Sequence, residues 1–160
     1  MAKAPTILIV DDDEPLREAL RMILEAEGYE AFAVSNGREA LTWMESHRPD
    51  AIVSDILMPE MDGYDFYRAV RARKAWVAMP FVFLTVMTAH EDGVRARTLG
   101  ADAYLTKPLE PEELLGTIRH LLERSEALQA AAAAEFEELK DELVTVLGHE
   151  LRTPLTYIRC

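Results

Sequence analysis

The feature that most constrains the fold is the repeated alternation of short apolar runs with helix-like stretches between residues 6 and 124. The apolar runs have the length of strands, and the stretches between them repeat apolar residues every three to four positions. Alternation of this kind predicts βα units, which form an α/β fold with a parallel sheet and helices on both of its faces. The predicted strands are 7–10, 29–35, 51–54, 81–84 and 103–105, with one predicted helix ending near Gly100 and another beginning at Pro111.

Polar side chains follow four of these five predicted strands. Asp11 and Asp12 follow the first, Asp55 the third and Lys107 the fifth, while Thr85 ends the fourth. In open parallel sheets, ligands bind beyond the carboxyl ends of the strands. The sequence therefore predicts that these five residues meet at one edge of the sheet.

Three carboxylates held together repel one another unless a cation neutralises them, so Asp11, Asp12 and Asp55 predict a hard divalent ion. Mg²⁺ suits oxygen ligands in octahedral geometry, and Mn²⁺ accepts the same donors. Beside such an ion the Asp55 carboxylate is a candidate nucleophile for a phosphoryl group, with Lys107 and Thr85 binding the phosphoryl oxygens. Taken singly, each residue also fits a helix cap or a solvated loop; the joint pattern favours the phosphoryl site.

The segment after Arg124 has a different composition, with a run of alanines, many Glu and Leu, and no Pro or Gly before Gly148. It predicts a long helix continuous with the last helix of the sheet domain. Its apolar positions are spaced by three and four residues, which is typical of a coiled-coil seam and predicts a homodimer; the alternative is a helix packed against its own domain. The seam consists of Leu121, Ser125, Leu128, Ala132, Phe136, Leu139, Leu143 and Val146.

Composition excludes several classes of partner. The chain of 160 residues carries a formal net charge of -12, which argues against nonspecific binding to nucleic acid or to an anionic membrane surface. No apolar stretch approaches the roughly 18 residues of a spanning helix, and the first residues lack a signal-peptide core. Cys160 is the only cysteine, so no internal disulfide can form. We therefore expect a cytoplasmic protein without membrane insertion.

Residues 6–124 resemble a response-regulator receiver domain of bacterial two-component signalling. The resemblance rests on four motifs and on their spacing. The motifs are Val10-Asp11-Asp12-Asp13, Ser54-Asp55-Ile56-Leu57-Met58-Pro59-Glu60-Met61-Asp62-Gly63, Phe83-Leu84-Thr85 and Ala103-Tyr104-Leu105-Thr106-Lys107-Pro108. The resemblance implies a flavodoxin-like sheet with strand order 2-1-3-4-5. It also implies a partner that donates the phosphoryl group, either a histidine kinase or a phosphotransfer protein.

The resemblance further implies roles for individual residues. Asp55 would be the phosphoacceptor, Asp12 and the Leu57 carbonyl would join it on Mg²⁺, and Asp11 would hold a water of the metal. Thr85 and Tyr104 would form the switch pair, with Thr85 drawn to the phosphoryl group and Tyr104 turning inward. The Lys107–Pro108 peptide bond would be cis, which proline permits.

One residue departs from the family pattern. A small residue usually follows the switch threonine, whereas this chain has Val86. A β-branched side chain there narrows access to Asp55 and hinders the movement of Tyr104. The apolar residues Leu57 and Met87 flank the same entrance to the Asp55 pocket. We therefore hypothesise that loss of the phosphoryl group is slow or depends on a partner.

A second phosphorylatable signature lies in the sequence His149-Glu150-Leu151-Arg152-Thr153-Pro154. A neutral imidazole at His149 can attack the γ-phosphoryl group of ATP if a neighbouring carboxylate, here Glu150, accepts its proton. An isolated His-Glu pair would be an ordinary exposed pair on an amphipathic helix, but the full stretch resembles the phosphoacceptor H-box of histidine kinase dimerisation domains.

These resemblances predict two parts, a receiver domain over residues 1–124 and a helical linker with a truncated kinase dimerisation helix over residues 125–160. The parent protein would be a hybrid receiver and ATP-dependent histidine kinase. A Gly-rich nucleotide-binding stretch is missing from the sequence, so ATP would bind only to a catalytic domain outside this chain. Whether the chain is itself an enzyme stays open, and we expect that it does not phosphorylate His149 alone.

Two alternatives belong to other functional classes. One is a dimerisation adaptor whose phosphorylation pocket is unused. The other is a metal-dependent phosphohydrolase with Asp55 as nucleophile, which needs a second acid–base group close by in a DxD arrangement. The residues after Asp55 are Ile56 and Leu57, which disfavours the hydrolase.

Overall fold

The computed structural model describes residues 3–86 and 100–159, with side chains up to residue 147. Its centre is a parallel sheet with the order β2-β1-β3-β4-β5, which confirms both the predicted fold class and the predicted strand order. The strands are β1 (Thr6–Val10), β2 (Glu30–Val34), β3 (Ala51–Asp55), β4 (Phe81–Val86) and β5 (Ala103–Lys107).

Helices connect the strands and flank the sheet. The helices are α1 (Glu14–Ala26), α2 (Gly37–Met44), α3 (Gly63–Ala72), a 3-10 turn (Lys74–Trp76) and the C-terminal helix (Pro111–Arg159). The N-cap residues of the first three α-helices are Asp13, Asn36 and Asp62, whose side chains each accept a hydrogen bond from the backbone N–H three residues on. The helix predicted to end near Gly100 lies outside the described residues.

The three central strands β1, β3 and β4 bury both of their faces, because successive side chains point to opposite sides of the sheet and both sides are covered. Leu8, Ile52 and Phe83 pack with residues of α2 and α3 in one hydrophobic layer. Ile9 and Val53 pack with residues of α1 and of the first turns of the C-terminal helix in the other layer. This two-sided burial explains why the central strands appear in the sequence as continuous apolar runs, whereas β2 at the edge is partly exposed.

The chain divides into two compact units, Met1–Ser125 and Glu126–Cys160. Over the described part of the second unit the structure is a single helix, and its large apolar side chains are 47–65% exposed. They are Leu128, Phe136, Leu139, Leu143, Val144, Val146 and Leu147. The assignment of residues 1–124 and 125–160 to two domains stays a prediction. Within the described residues, no helix is both long enough and apolar enough to cross a membrane.

Candidate functional site

The carboxyl ends of β1, β3, β4 and β5 bring the five predicted polar residues to one edge of the sheet. Asp11 is fully buried, Asp55 and Thr85 are buried, and Asp12 is exposed at the rim. The Lys107 ammonium lies between two of the carboxylates, with Nζ 3.2 Å from Asp11 Oδ2 and 3.3 Å from Asp55 Oδ2. Asp11, Asp12 and Asp55 each offer a carboxylate oxygen, and these oxygens lie within 4.8 Å of one another.

Asp11 is held by contacts on three of its polar groups. Its backbone N–H donates to the Val34 carbonyl (3.1 Å), and its Oδ1 accepts from the Asp13 N–H (2.9 Å). Its backbone carbonyl accepts from Arg17 Nη1 on α1 (2.8 Å). The first buried carboxylate of the pocket therefore has a fixed orientation.

Asp55 is positioned by the loop that follows β3 and by the start of α3. Its Oδ1 accepts from the Ile56 N–H (2.8 Å), and the Ile56 carbonyl accepts from the Gly63 N–H (2.6 Å). A Cβ at Gly63 would lie 2.3 Å from the Asp55 backbone oxygen and 2.8 Å from Ile56 Cα. Gly63 therefore allows α3 to begin directly against the backbone that carries Asp55.

The loop between β3 and α3 also holds one residue in the left-handed region, since Glu60 has a φ of 67°. A residue with a Cβ is strained there, whereas glycine is not. We expect Glu60→Gly to raise the free energy of unfolding by about 0.5–1 kcal/mol, measured by urea denaturation. Glu60→Ala serves as the control, because it removes the same carboxylate, which lies 4.0 Å from Arg38, without relieving the backbone. A glycine variant no more stable than the alanine variant would contradict this expectation.

The pocket carries more negative than positive charge. Burial, followed by the neighbouring Asp11 carboxylate, raises the pKa of Asp55, and the Lys107 ammonium only partly opposes this. Burial by itself would lower the pKa of Lys107, but the carboxylates of Asp55 and Asp11 outweigh it and raise that pKa. Three carboxylates, which supply hard oxygen donors, face one ammonium in this pocket. This set of donors and its excess negative charge fit a divalent cation such as Mg²⁺.

The remaining predicted site residues surround this pocket. Tyr104 is half-buried on β5 and pairs in register with Phe83, and the Lys107–Pro108 peptide bond is cis as predicted. Leu57 and Val86 are 65% and 46% exposed, and Val86 pairs in register with Lys107. Met87 lies outside the described residues. For His149 and Glu150 the structure describes the backbone helix but not the side chains.

Sequence reasoning missed two contributors to the site, Arg17 and Gly63. Arg17 is one of two arginines in α1, and nothing in its spacing distinguishes it from a solvated residue. In the sequence, Gly63 stands out only as the last residue of the motif that begins at Ser54. The signal that could have identified Gly63 is its place at the first position of a helix that follows a site loop, where the chain must approach another backbone closely.

Comparison with known proteins places this site in a family. The model of the response regulator receiver domain matches residues 7–119, so the chain belongs to the receiver domain family. Receiver domains are phosphorylated on an aspartate, bind Mg²⁺ at an acidic pocket, and typically take the phosphoryl group from histidine kinases or phosphotransfer proteins.

Among curated proteins, the response regulator SaeR of Staphylococcus aureus is 37% identical over 151 residues, which are 91% of this chain and 65% of SaeR. The response regulator Rre1 of Synechocystis is 34% identical over 146 residues, which are 89% of this chain and 63% of Rre1. The chain thus spans less than two thirds of the length of these relatives.

Solved structures share the same fold. The signal receiver domain of a signal transduction histidine kinase from Syntrophus aciditrophicus is 41% identical, with a TM-score of 0.71 over 75% of this chain and 91% of that one. The chemotaxis response regulator CheY4 of Vibrio cholerae is 36% identical, with a TM-score of 0.69 over 74% of this chain and 98% of that one.

Proposed function

We propose that this chain accepts a phosphoryl group on Asp55 in an Mg²⁺-dependent reaction and thereby switches a two-component signalling pathway. The observation that carries the proposal is the Lys107 ammonium within 3.3 Å of both Asp11 and Asp55, beside a third carboxylate from Asp12. This arrangement combines a nucleophile, a fixed cation and a set of oxygen donors for a divalent cation.

In the proposed reaction, the Asp55 carboxylate attacks the phosphorus of a phosphohistidine on the donor protein. The new oxygen–phosphorus bond forms as the nitrogen–phosphorus bond breaks, and the departing imidazole takes a proton from solvent. Lys107 pairs with a phosphoryl oxygen in place of the Asp55 carboxylate, and the Thr85 hydroxyl donates to another. Asp12, Asp55 and the Leu57 carbonyl would hold Mg²⁺, and Asp11 would hold a water of the metal. The chemistry that a bound cation supplies is neutralisation of the charge on the phosphoryl oxygens.

Beryllofluoride with Mg²⁺ tests the pocket without a donor protein, because it mimics a phosphoryl group on a carboxylate. We expect changes in the backbone amide spectrum at Thr85 and Tyr104 that require both beryllofluoride and Mg²⁺. Asp55→Asn is the matched control, since it keeps the shape of the side chain but removes the nucleophile. No response in the wild type, or an equal response in Asp55→Asn, would favour an adaptor with an unused pocket.

Val86 is expected to prolong the lifetime of the phosphorylated state. Val86 lies at the end of β4, in register with Lys107. We propose that its β-branched side chain narrows the path of water to Asp55. We expect Val86→Ala to accelerate loss of the phosphoryl group several-fold, measured by the decay of phosphorylated protein after the donor is removed. Val77→Ala removes an exposed valine that precedes β4 and serves as the control. An unchanged lifetime in Val86→Ala would contradict the prediction.

We also propose that the C-terminal helix forms a parallel or antiparallel homodimer through its apolar seam. The support is the exposure of Leu128, Phe136, Leu139 and Leu143 at coiled-coil spacing. We expect Leu139→Glu to convert a dimer into a monomer in light scattering, whereas Thr145→Glu, off the seam, leaves the dimer intact. A wild-type monomer at high concentration would contradict this proposal.

We further propose that the receiver regulates a histidine kinase whose phosphoacceptor is His149, with Glu150 accepting the imidazole proton. The support is the His149–Pro154 motif, together with the histidine kinase origin of the Syntrophus receiver domain. With ATP and a kinase ATP-binding domain supplied separately, we expect acid-labile phosphate on the wild type and none on His149→Gln. Labelling that is equal in the two proteins would exclude His149 as the acceptor.

A further inference from the structure

The backbone carbonyl of Asp11 lies just beyond the end of β1, where the sheet no longer supplies a partner. The register of β1 with β3 ends at Val10 and Ser54, and the Asp11 N–H makes a last bond to Val34. Asp11 is fully buried, so its carbonyl needs a donor from within the protein. The donor is the Arg17 guanidinium, at 2.8 Å.

We infer that Arg17 is a positioning residue for the divalent cation, acting through the backbone of Asp11. The inference rests on the proposed function, since it assumes that the acidic pocket binds Mg²⁺. Arg17 belongs to α1, whose first turn is anchored to the same loop by the bond from the Arg17 N–H to the Asp13 carbonyl (2.9 Å). The guanidinium bond and the bond from the Asp13 N–H to Asp11 Oδ1 therefore fix the backbone and the side chain of Asp11 together.

Charge and geometry predict opposite effects of removing this side chain. Arg17 adds a positive charge near the acidic pocket, so loss of that charge alone would make Mg²⁺ bind more tightly. Loss of the guanidinium bond instead leaves the buried Asp11 carbonyl without its donor and frees the loop to move, which weakens binding. The direction of the change in affinity therefore distinguishes a positioning role from a simple charge effect.

The test is an Mg²⁺ titration of isotope-labelled protein, followed through the backbone amide signals of Asp12 and Asp13. We expect Arg17→Met to raise the dissociation constant for Mg²⁺ about 5- to 10-fold. This increase is near the lower end of the effects of residues that orient metal ligands. Arg21→Met is the matched control. It removes the same charge from the next turn of α1, where the Arg21 guanidinium pairs with the exposed Glu18 and Glu25. The affinity of Arg21→Met for Mg²⁺ should equal or slightly exceed that of the wild type.

A second readout separates positioning from a general loss of activity. At saturating Mg²⁺, the rate of phosphorylation of Arg17→Met by acetyl phosphate should lie within about twofold of the wild type, while the Mg²⁺ concentration for half-maximal rate rises with the dissociation constant. Arg17→Lys keeps the charge and supplies a shorter donor, so it should weaken Mg²⁺ binding less than Arg17→Met; it also replaces Arg17→Met in the titration if that variant fails to fold.

The inference would be overturned if Arg17→Met bound Mg²⁺ as tightly as the wild type or more tightly. If Arg17→Met does not fold, wild-type affinity in Arg17→Lys would overturn it. A lower rate at saturating Mg²⁺ with unchanged affinity would also overturn it. Failure of the proposed function would give a different result. Mg²⁺ would then either cause no amide shifts in the wild type or cause shifts that persist in Asp12→Asn.

Discussion

Replacing Gly63 by alanine is expected to lower the free energy of unfolding by about 3 kcal/mol and to disturb Asp55 at the same time. The new Cβ would lie 2.3 Å from the Asp55 backbone oxygen and 2.8 Å from Ile56 Cα. Both neighbours are backbone atoms, so no flexible side chain can move away to relieve the contact. The start of α3 must shift away from the end of β3, which also breaks the bond from the Gly63 N–H to the Ile56 carbonyl.

Urea unfolding of Gly63→Ala measures this effect, and Gly116→Ala provides the control. Gly116 lies within the C-terminal helix, and a Cβ there meets no atom within 4 Å. Alanine is favoured over glycine inside a helix, so Gly116→Ala should be more stable than the wild type by up to about 1 kcal/mol. Wild-type stability in Gly63→Ala would show that the close approach of α3 to Asp55 is not required.

Replacing Lys107 by methionine should produce the second large effect, a loss of about 2–3 kcal/mol in the metal-free protein at neutral pH. The Lys107 side chain is 22% exposed, and its ammonium is shared by the buried carboxylates of Asp11 and Asp55. Without it, two close negative charges remain in a poorly solvated pocket. A divalent cation replaces the missing charge, so saturating Mg²⁺ should recover most of the lost stability.

The loss in Lys107→Met should also depend on pH with a defined sign. Because burial and Asp11 raise the pKa of Asp55, the folded protein binds more protons than the unfolded chain in the interval above the ordinary carboxyl pKa. Stability of the metal-free protein therefore falls as pH rises through that interval, and more steeply in Lys107→Met, where the opposing ammonium is missing. The difference from the wild type should shrink as the pH is lowered and Asp55 is protonated.

Thermal unfolding with chelator and with saturating Mg²⁺, at acidic and at neutral pH, measures these effects. Lys74→Met is the control, because Lys74 is an exposed lysine of the 3-10 turn. A loss of stability in Lys107→Met that neither Mg²⁺ nor acid reduces would mean that packing, rather than charge, accounts for the role of Lys107.

Much of this site was predictable because parallel strands impose a common direction. Once Asp11, Asp55 and Lys107 are assigned to the carboxyl ends of three strands, the sheet brings them to one edge whatever the details of the loops. The strand order came from the family resemblance, since apolar runs of equal length do not specify which strand lies at the centre. β5 extends two residues beyond the predicted run because its pairing with β4 continues to Val86 and Lys107.

The contacts that orient the site were not predictable from pattern. Arg17 acts through a backbone carbonyl, and any arginine on α1 would look the same in the sequence. The importance of Gly63 depends on a distance between two backbones that are close only in the folded chain. For the apolar seam after Ser125, periodicity identifies side chains that share one face of a helix but not what covers that face.

The most direct test of the central claim is the intact mass of the protein after incubation with acetyl phosphate. We predict that the wild type gains a single phosphoryl group only when Mg²⁺ is present, that hydroxylamine removes it as expected of an acyl phosphate, and that Asp55→Asn gains none. A phosphoryl group on Asp55→Asn equal to that on the wild type, or none on the wild type at saturating Mg²⁺, would contradict the assignment of Asp55 as phosphoacceptor.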